Sequence, residues 1–333
     1  MFRKLKDYVS KILCWFRLYE VNRTPNNDAE KGQVGVNSEE STTPDEDNVE
    51  EPWTFEILWD VVANVADLFT INGEKNILIG RYRPDKAADE ILHAEFPRDS
   101  PLAVAVEAVR DKGFKVITGK WLIRDRPPAI VFHVESARDM FGDRYVEMFK
   151  KDHQIDIPAD DEEARDAVIF GYMVAEFLTE FELRCRPESS NGSNANPTTG
   201  LNPSLSDTKQ PSHQDEPTEP SIVPSDIERE PSSGNEICTQ FHDWKCAVGL
   251  VLLRQWSSRI TTIFTLKTSC LEGDFHSQER AHEEARRRGI FHRFSMELAA
   301  ALASNIFTPI SETVAEQAEV VLGKHPDCVI TQD

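Results

Sequence analysis

The chain has 333 residues, of which 39% are hydrophobic and 29% charged, and its formal net charge at pH 7 is -21. This hydrophobic share lies below the roughly 45 to 50% of an average globular domain, so we expect part of the chain to lie outside any folded core. A net negative charge of this size opposes sequence-independent binding to a phosphate backbone, and we therefore expect no nucleic-acid partner.

Two further features bear on the cellular compartment. The six cysteines include no CxxC pair and no cleavable signal peptide precedes them, which favours a reduced, cytoplasmic chain. No run approaches the roughly 18 consecutive apolar residues of a membrane-spanning helix. The sequence thus predicts a cytoplasmic protein, and any attachment to a membrane surface depends on the N-terminal segment.

The first 21 residues have the pattern of a basic amphipathic helix, with apolar side chains on one arc of the helical wheel and cations on the rest. Such helices lie in the plane of an anionic membrane surface, where apolar burial and attraction to lipid phosphates add together. Two other interpretations remain open: the helix packs on the protein's own core, or it is a mitochondrial presequence. The residues predicted to contact the membrane are Phe2, Arg3, Lys4, Leu5, Lys6, Val9, Lys11, Ile12, Trp15, Phe16, Arg17 and Tyr19.

Two polar stretches divide the rest of the chain. Residues 24–51 are acidic, and residues 188–236 are rich in Ser, Pro and Glu, so neither buries enough apolar surface to offset its chain entropy. We predict disorder for both. The predicted organisation is a basic helix (1–23), an acidic linker (24–51), a first ordered block (52–187), a disordered insertion (188–236) and a second ordered block (237–333).

The first block begins with an apolar repeat that predicts a helix from Pro52 to about Phe69. We next expect a strand over Asn76–Tyr82, a helix from Asp85 to about Phe96, and a helix over Leu102–Val109. The following elements are a hairpin of Phe114–Ile123 with Ala129–Val134, a helix over Ser136–Lys151, and the segment Asp160–Arg186, which favours helix although VIFGYMV also suits a strand.

The second block predicts a second hairpin, formed by Cys246–Trp256 and Arg259–Thr268, although the first of these runs also suits a helix. We then expect a polar helix over Ser277–Arg288 and an apolar helix over Phe294–Phe307. Thr308 and Pro309 have the types preferred at the start of a final helix, which Gly323 ends.

The predicted strands come in adjacent pairs, so the sequence favours an α+β fold with mixed helices and two β-hairpins. The second hairpin has little surface of its own to cover it. We therefore expect both ordered blocks to complete one sheet, with two separate domains as the alternative.

The motifs of common active sites are missing from the sequence. Gly113–Lys120 has five residues between its glycines where a phosphate loop has four. Cys238, His242 and Cys246 come close enough to share a metal ion only on a helix, so we predict no metal site. Because no other motif of this kind is present, we also predict no cofactor and no catalytic residue. One candidate anion-binding group remains, beside several neutralising glutamates: Arg286, Arg287, Arg288 and Arg293.

From these features we expect a non-enzymatic regulatory or interaction protein, held at an anionic membrane surface by its N-terminal helix and bound to an unknown protein partner. An enzyme whose site is assembled between the two ordered blocks is the alternative from a different class. A third interpretation is a soluble scaffold whose N-terminal helix packs on its own body.

Overall fold

The computed structural model describes residues 53–59, 76–84, 90–122, 126–185, 237–257, 259–271, 273 and 275–330. The predicted N-terminal helix, acidic linker and insertion lie outside these residues. No helix within the described ranges combines the length and the apolar character that a membrane crossing requires.

Eight strands form one sheet in the order β3-β4-β5-β2-β1-β6-β7-β8. The run from β5 to β8 pairs in parallel, and β3 and β4 pair antiparallel at one side. The strands are β1 (Trp53–Leu58), β2 (Asn76–Arg81), β3 (Ile91–His93), β4 (Val116–Trp121), β5 (Pro128–Phe132), β6 (Ile237–His242), β7 (Ile260–Leu266) and β8 (Ile306–Pro309).

The described connections between parallel strands contain helices. A π-helical turn over Arg138–Gly142 joins the second helix to the third, and a 3-10 turn over Trp244–Cys246 precedes the fifth. The helices are α1 (Pro101–Asp111), α2 (Val134–Ala137), α3 (Asp143–His153), α4 (Glu162–Arg184), α5 (Ala247–Trp256), α6 (Gln278–Arg287), α7 (Phe291–Ala303) and α8 (Glu312–Leu322).

The α+β expectation is wrong: the fold is α/β with a mostly parallel sheet, although both ordered blocks do share one sheet, as expected, through the parallel pair β1 and β6. The second predicted hairpin does not form. Its first run is α5, which crosses from β6 to the parallel strand β7, because parallel neighbours need a crossover connection. Residues 247–253 are all buried, so their apolar run carried no helical periodicity.

Three other boundaries differ from the prediction. Trp53–Leu58 is the central strand β1, not the start of a helix. The repeat that predicted the helix begins only at Leu58, and its later part, residues 61–69, lies outside the described residues. Strand β3 lies where the helix ending near Phe96 was expected. Pro309 belongs to the edge strand β8, where no ladder partner needs its missing N–H, and Ser311 caps α8 instead.

Local signals were confirmed where they were strong. The first hairpin is β4 and β5, and helices α1, α3, α4 and α6 lie where they were predicted. Ser100 accepts a hydrogen bond from the N–H of Ala103 at the start of α1, and Gly323 ends α8 with a φ of 64°.

The core lies mainly between one face of the sheet and a layer that contains α4, α5 and α7. Phe55 and Ile57 of β1 point into this core, while Leu58 belongs to a smaller cluster on the other face. Helices α4 and α5 approach closely at Gly171, where an added Cβ would lie 2.6 Å from side-chain atoms of Val248. This close contact holds the N-termini of α4 and α5 at the same edge of the sheet.

Candidate functional site

The strand order reverses between β1 and β6, since β2 lies on one side of β1 whereas β6, β7 and β8 follow on the other. In open α/β sheets such a reversal leaves a crevice at the carboxyl ends of the strands, and ligands bind there. Helices α4, α5 and α7 begin at this carboxyl edge, so their positive dipole ends face it. We call this region the carboxyl-edge crevice.

Asp243, directly after β6, has a backbone conformation that almost only glycine adopts, with φ 60° and ψ 171°. Two hydrogen bonds hold it there: its N–H donates to the Thr265 carbonyl at 3.0 Å, and its carboxylate accepts from the N–H of Lys267 at 3.0 Å. Burial raises the pKa of the carboxyl group, and the Lys267 N–H partly offsets this. Asp243 therefore ties the ends of β6 and β7 together at the expense of backbone strain, a combination that is concentrated at functional sites.

Lys267 is the first residue after β7 and is half-buried. Its ammonium group has no ion-pair partner among the described residues. Neighbouring groups respond to its charge: burial together with Lys267 lowers the pKa of His242 to about 3, so that the imidazole stays neutral. An uncompensated cation beside helix N-termini is the arrangement that binds phosphate.

Glu297 of α7, which is fully buried, holds the loop after β7 in place through hydrogen bonds. Its carboxyl oxygens accept hydrogen bonds from the Ser269 hydroxyl at 2.6 Å and from the N–H of Cys270 at 2.8 Å. Burial raises the pKa of Glu297 to about 7, with the hydrogen bond from Ser269 acting in the opposite direction. Glu297 thus holds the segment that follows Lys267, and its own charge changes close to neutral pH.

An ion-pair network joins the N-termini of α4 and α7. Asp161 caps α4 by accepting from the N–H of Ala164 at 3.0 Å and receives Arg293 in a bidentate pair at 2.6 and 2.7 Å. His292 lies 2.6 Å from the same carboxylate. Burial disfavours the charged carboxylate, but these hydrogen bonds outweigh it and hold the pKa of Asp161 well below its usual range. Arg293 also lies over the ring of Trp244, 4.8 Å from its centroid.

Other cations at this edge already have carboxylate partners. Lys245 lies 2.6 Å from Glu163, and Arg138 binds Asp166 through two hydrogen bonds of 2.6 Å. This leaves Lys267 as the described cation at the crevice that is available to an anionic ligand.

The predicted anion-binding arginines separate in the structure. Arg286 stacks on Phe291 at 4.2 Å, whereas Arg287 and Arg288 pair with Glu284 on the exposed face of α6. Among the four, Arg293 is the one that reaches the crevice network. Anion binding by this group stays a prediction, as do the protein partner and the exclusion of nucleic acid.

Cys238 and His242 lie on strand β6, and Cys246 is buried in the turn that precedes α5. The described part of the chain contains no group of three or more His, Cys, Asp or Glu residues arranged to hold a metal ion.

The sequence that forms the carboxyl-edge crevice is similar to sequences of known proteins. A family model for glycogen synthase matches residues 58–191 and 223–333, which are most of the chain and include both halves of the sheet. The chain belongs to the glycogen synthase family. The expectation of a non-enzymatic, membrane-held regulatory protein is therefore wrong, and the alternative of an enzyme with a site between the two blocks is better supported.

Three curated relatives illustrate the similarity. The glycogen (starch) synthase of Neurospora crassa is 25% identical over 297 residues, which are 83% of this chain and 35% of the relative. The liver enzyme of Rattus norvegicus is 28% identical over 302 residues, 84% of this chain and 36% of the relative. Isoform 1 of Saccharomyces cerevisiae is 26% identical over 283 residues, 81% of this chain and 33% of the relative. The chain thus spans about a third of the length of these relatives.

Sequence reasoning missed Asp243, Lys267 and Glu297 as site residues. Asp243 and Lys267 each follow directly on a buried strand, FTL before Lys267 and QFH before Asp243. A polar residue at the end of a buried strand was a usable signal. It indicates a shared site only if the strands are parallel, so that their ends lie at the same edge of the sheet, and the predicted hairpin excluded that arrangement.

Proposed function

We propose that the chain takes part in the glucosyl transfer that builds glycogen or a starch-like polymer, and that its carboxyl-edge crevice binds a glucosyl donor with a phosphate leaving group. The names of the relatives suggest the polymer, and membership of the glycogen synthase family supports the reaction class. Because the chain spans about a third of those relatives, the activity and the substrates are our proposal for this chain.

The observation that carries the proposal is Lys267 at the carboxyl end of β7, a half-buried cation with no ion-pair partner in the described ranges. Glucosyl transfer forms a glycosidic bond to an acceptor hydroxyl and breaks the bond between the anomeric carbon and the leaving group, whose oxygen takes the electron pair. A phosphate leaving group therefore becomes more negative as the bond breaks, and a fixed cation with helix N-termini stabilises that charge.

Asp243 and Glu297 act on Lys267 through the backbone. Asp243 accepts from the N–H of Lys267, and Glu297 holds Ser269 and Cys270 two and three residues further on. Both ends of the loop are thus fixed before any ligand arrives, so less free energy is lost on ordering it.

The test is transfer of labelled glucose from UDP-glucose or ADP-glucose onto glycogen by the full chain. Wild type should extend the polymer, and Lys267→Met should reduce the rate at least tenfold without changing the midpoint of thermal unfolding. Lys120→Met is the matched control, because Lys120 is exposed and lies on β4 opposite the first residue of β5, at the other edge of the sheet. No transfer by wild type, or equal transfer by Lys267→Met, contradicts the proposal.

A further inference from the structure

A cavity of about 340 Å³ lies beside the turn that joins α6 to α7. Its walls come from the end of α6, the first turns of α7 and the segment that follows α3, and we call it the interhelix cavity. Its volume falls within the roughly 300 to 1,000 Å³ that is typical of small-molecule sites. The lining residues do not include Asp243, Lys267 or Glu297, so a ligand here is held by other side chains than the proposed glucosyl donor.

Arg286 supplies a positive charge to the interhelix cavity. Its guanidinium carbon lies 4.2 Å from the centroid of the Phe291 ring, and both residues line the cavity. This stacking occupies the flat face of the guanidinium and leaves the N–H donors at its edge free. Arg286 has no ion-pair partner among the described residues, whereas the next two arginines of the chain both pair with Glu284. Arg286 is therefore an oriented cation that is available to an anionic ligand.

His292 is a second polar group that lines the cavity, and it is only 6% exposed. Its Nε2 lies 2.6 Å from a carboxylate oxygen of Asp161, and because an ionised carboxylate only accepts hydrogen bonds, Nε2 carries a proton. The other ring nitrogen, Nδ1, has no hydrogen-bond partner in the part of the chain that the structure describes. Polar atoms of buried side chains are rarely left unpaired, so Nδ1 in a cavity wall indicates a ligand that pairs with it.

The remaining groups of the lining also favour an anion. Helix α7 begins at the cavity with Ile290 as its N-cap residue, and no side chain caps it, so its first backbone N–H groups and the positive end of its dipole are available to a ligand. Asp156 is the one carboxylate among the lining residues, and it lies 2.9 Å from Lys150, which compensates its charge. The charge of Arg286 therefore determines the sign of the ligand, and the donors around it match the oxygens of a phosphate group.

We propose that the interhelix cavity binds a small phosphate monoester as an effector, with its phosphate held by Arg286, by the Nδ1–H of doubly protonated His292 and by the first N–H groups of α7. The organic group of the ester lies against Ile155, an apolar residue of the lining. Because His292 also contacts Asp161, the N-cap of α4, the bound phosphate strengthens the junction of α4 with α7 beside the crevice. This site does not depend on the proposed glucosyl transfer, so each can fail without the other.

The test is calorimetric titration of the full chain at pH 7.5 with inorganic phosphate and with glycerol 3-phosphate, and with glycerol as the uncharged probe. Wild type should bind both phosphates, the ester more tightly, and should not bind glycerol. Arg286→Met should weaken the binding of both phosphates at least tenfold, because it removes charge-assisted hydrogen bonds. Equal affinities for the two phosphates would overturn the ester and leave inorganic phosphate as the ligand.

Three further variants separate this cavity from other surfaces. His292→Gln keeps a donor near the position of Nε2 for Asp161 but removes Nδ1, so it should bind glycerol 3-phosphate about fivefold more weakly without a lower midpoint of thermal unfolding. Arg280→Met changes another exposed arginine of α6 that does not line the cavity, and Lys267→Met alters the crevice. Both should bind glycerol 3-phosphate as wild type does.

The proposal is overturned if wild type binds neither phosphate, or if Arg286→Met or His292→Gln binds them with wild-type affinity. A loss in Arg280→Met as large as that in Arg286→Met would mean that the phosphates respond only to the overall charge of α6. A loss confined to Lys267→Met would place the phosphates in the crevice. Normal binding of glycerol 3-phosphate by a chain that neither binds nor transfers from UDP-glucose or ADP-glucose would remove the proposed function and leave the interhelix cavity as a phosphate site.

Discussion

Arg293, in the first turn of α7, forms a bidentate ion pair with Asp161, the N-cap of α4, at 2.6 and 2.7 Å. Asp161 belongs to the first sequence block and Arg293 to the second, so the pair joins the two halves of the chain at the crevice. Both side chains are largely shielded from water, which makes the pair stronger than a surface salt bridge.

Asp161→Asn tests this pair while keeping an oxygen that can cap α4. We expect a loss of about 1 to 2 kcal/mol in the free energy of unfolding at pH 7, because Arg293 then keeps Glu163 as its one carboxylate partner among the described residues. Asp161→Ala should lose about 1 kcal/mol more through the missing cap. Urea unfolding measures both. Asp156→Asn, which removes an exposed pair with Lys150, should cost less than about 0.5 kcal/mol.

The loss of unfolding free energy in Asp161→Asn should depend on pH. The pKa of Asp161 is depressed in the folded state, so its stabilisation is fully present above the pKa of an unfolded aspartate, about 3.9, and is lost as the pH falls. The difference between wild type and Asp161→Asn should therefore shrink progressively below about pH 4. A difference that stays constant down to pH 2 would show that the ion pair contributes nothing.

The contribution of Glu297 to the free energy of unfolding should have the opposite pH dependence. Its pKa of about 7 in the folded protein exceeds the value of about 4.3 for an unfolded glutamate, so its stabilisation is complete below about pH 4.3 and is lost as the pH rises through 7. Glu297→Gln should gain stability relative to wild type between pH 5 and pH 8 in urea unfolding. Glu316→Gln, at an exposed position of α8, should follow wild type throughout, and parallel curves for Glu297→Gln and wild type would contradict the assignment.

The strain at Asp243 is measurable by comparing two substitutions that both remove its carboxylate. Asp243→Gly should be about 1 to 2 kcal/mol more stable than Asp243→Ala, because a φ of 60° with a ψ of 171° favours glycine. At the helical position Glu316 the order should be reversed, with alanine the more stable by about 1 kcal/mol. Equal unfolding free energies for the two Asp243 variants would mean that this backbone is unstrained.

Gly171→Ala tests the close approach of α4 and α5. The added methyl group would lie 2.6 Å from Val248 side-chain atoms and 2.7 Å from the backbone nitrogen of Gly249, so the two helices must move apart. We expect a loss of about 2 to 3 kcal/mol in thermal or urea unfolding. Gly142→Ala is the control, since its methyl group would meet only the movable Cδ1 of Ile169 at 3.4 Å, and a similar loss in both variants would refute the packing argument.

The sequence predicted those elements whose burial is one-sided or whose ends have strong local signals. Helix α1 has Ser100 and Pro101 at its start, and the β4 and β5 hairpin is rich in β-branched residues. Residues 247–253 of helix α5 are buried in one continuous run, so periodicity did not separate helix from strand there. Strand β1 was missed because the helical repeat that begins at Leu58 was extended back to Pro52. The wrong assignment of α5 turned a parallel crossover into a hairpin and changed the fold class.

The crevice was hidden from sequence reasoning for a related reason. Lys267 and Asp243 are neighbours only because β6 and β7 run in parallel, and Glu297 reaches Ser269 across 28 residues of chain. No local motif records such contacts. The contribution of both blocks to one sheet was accessible, because the second predicted hairpin had little surface of its own to cover it.

The most direct test of the carboxyl-edge crevice is calorimetric titration of the full chain with UDP-glucose and ADP-glucose. We predict binding of at least one donor by wild type and by Lys120→Met, with a loss of at least tenfold in affinity for Lys267→Met. Unchanged affinity in Lys267→Met, or no binding of either donor by wild type, would contradict the assignment of this crevice as the donor site.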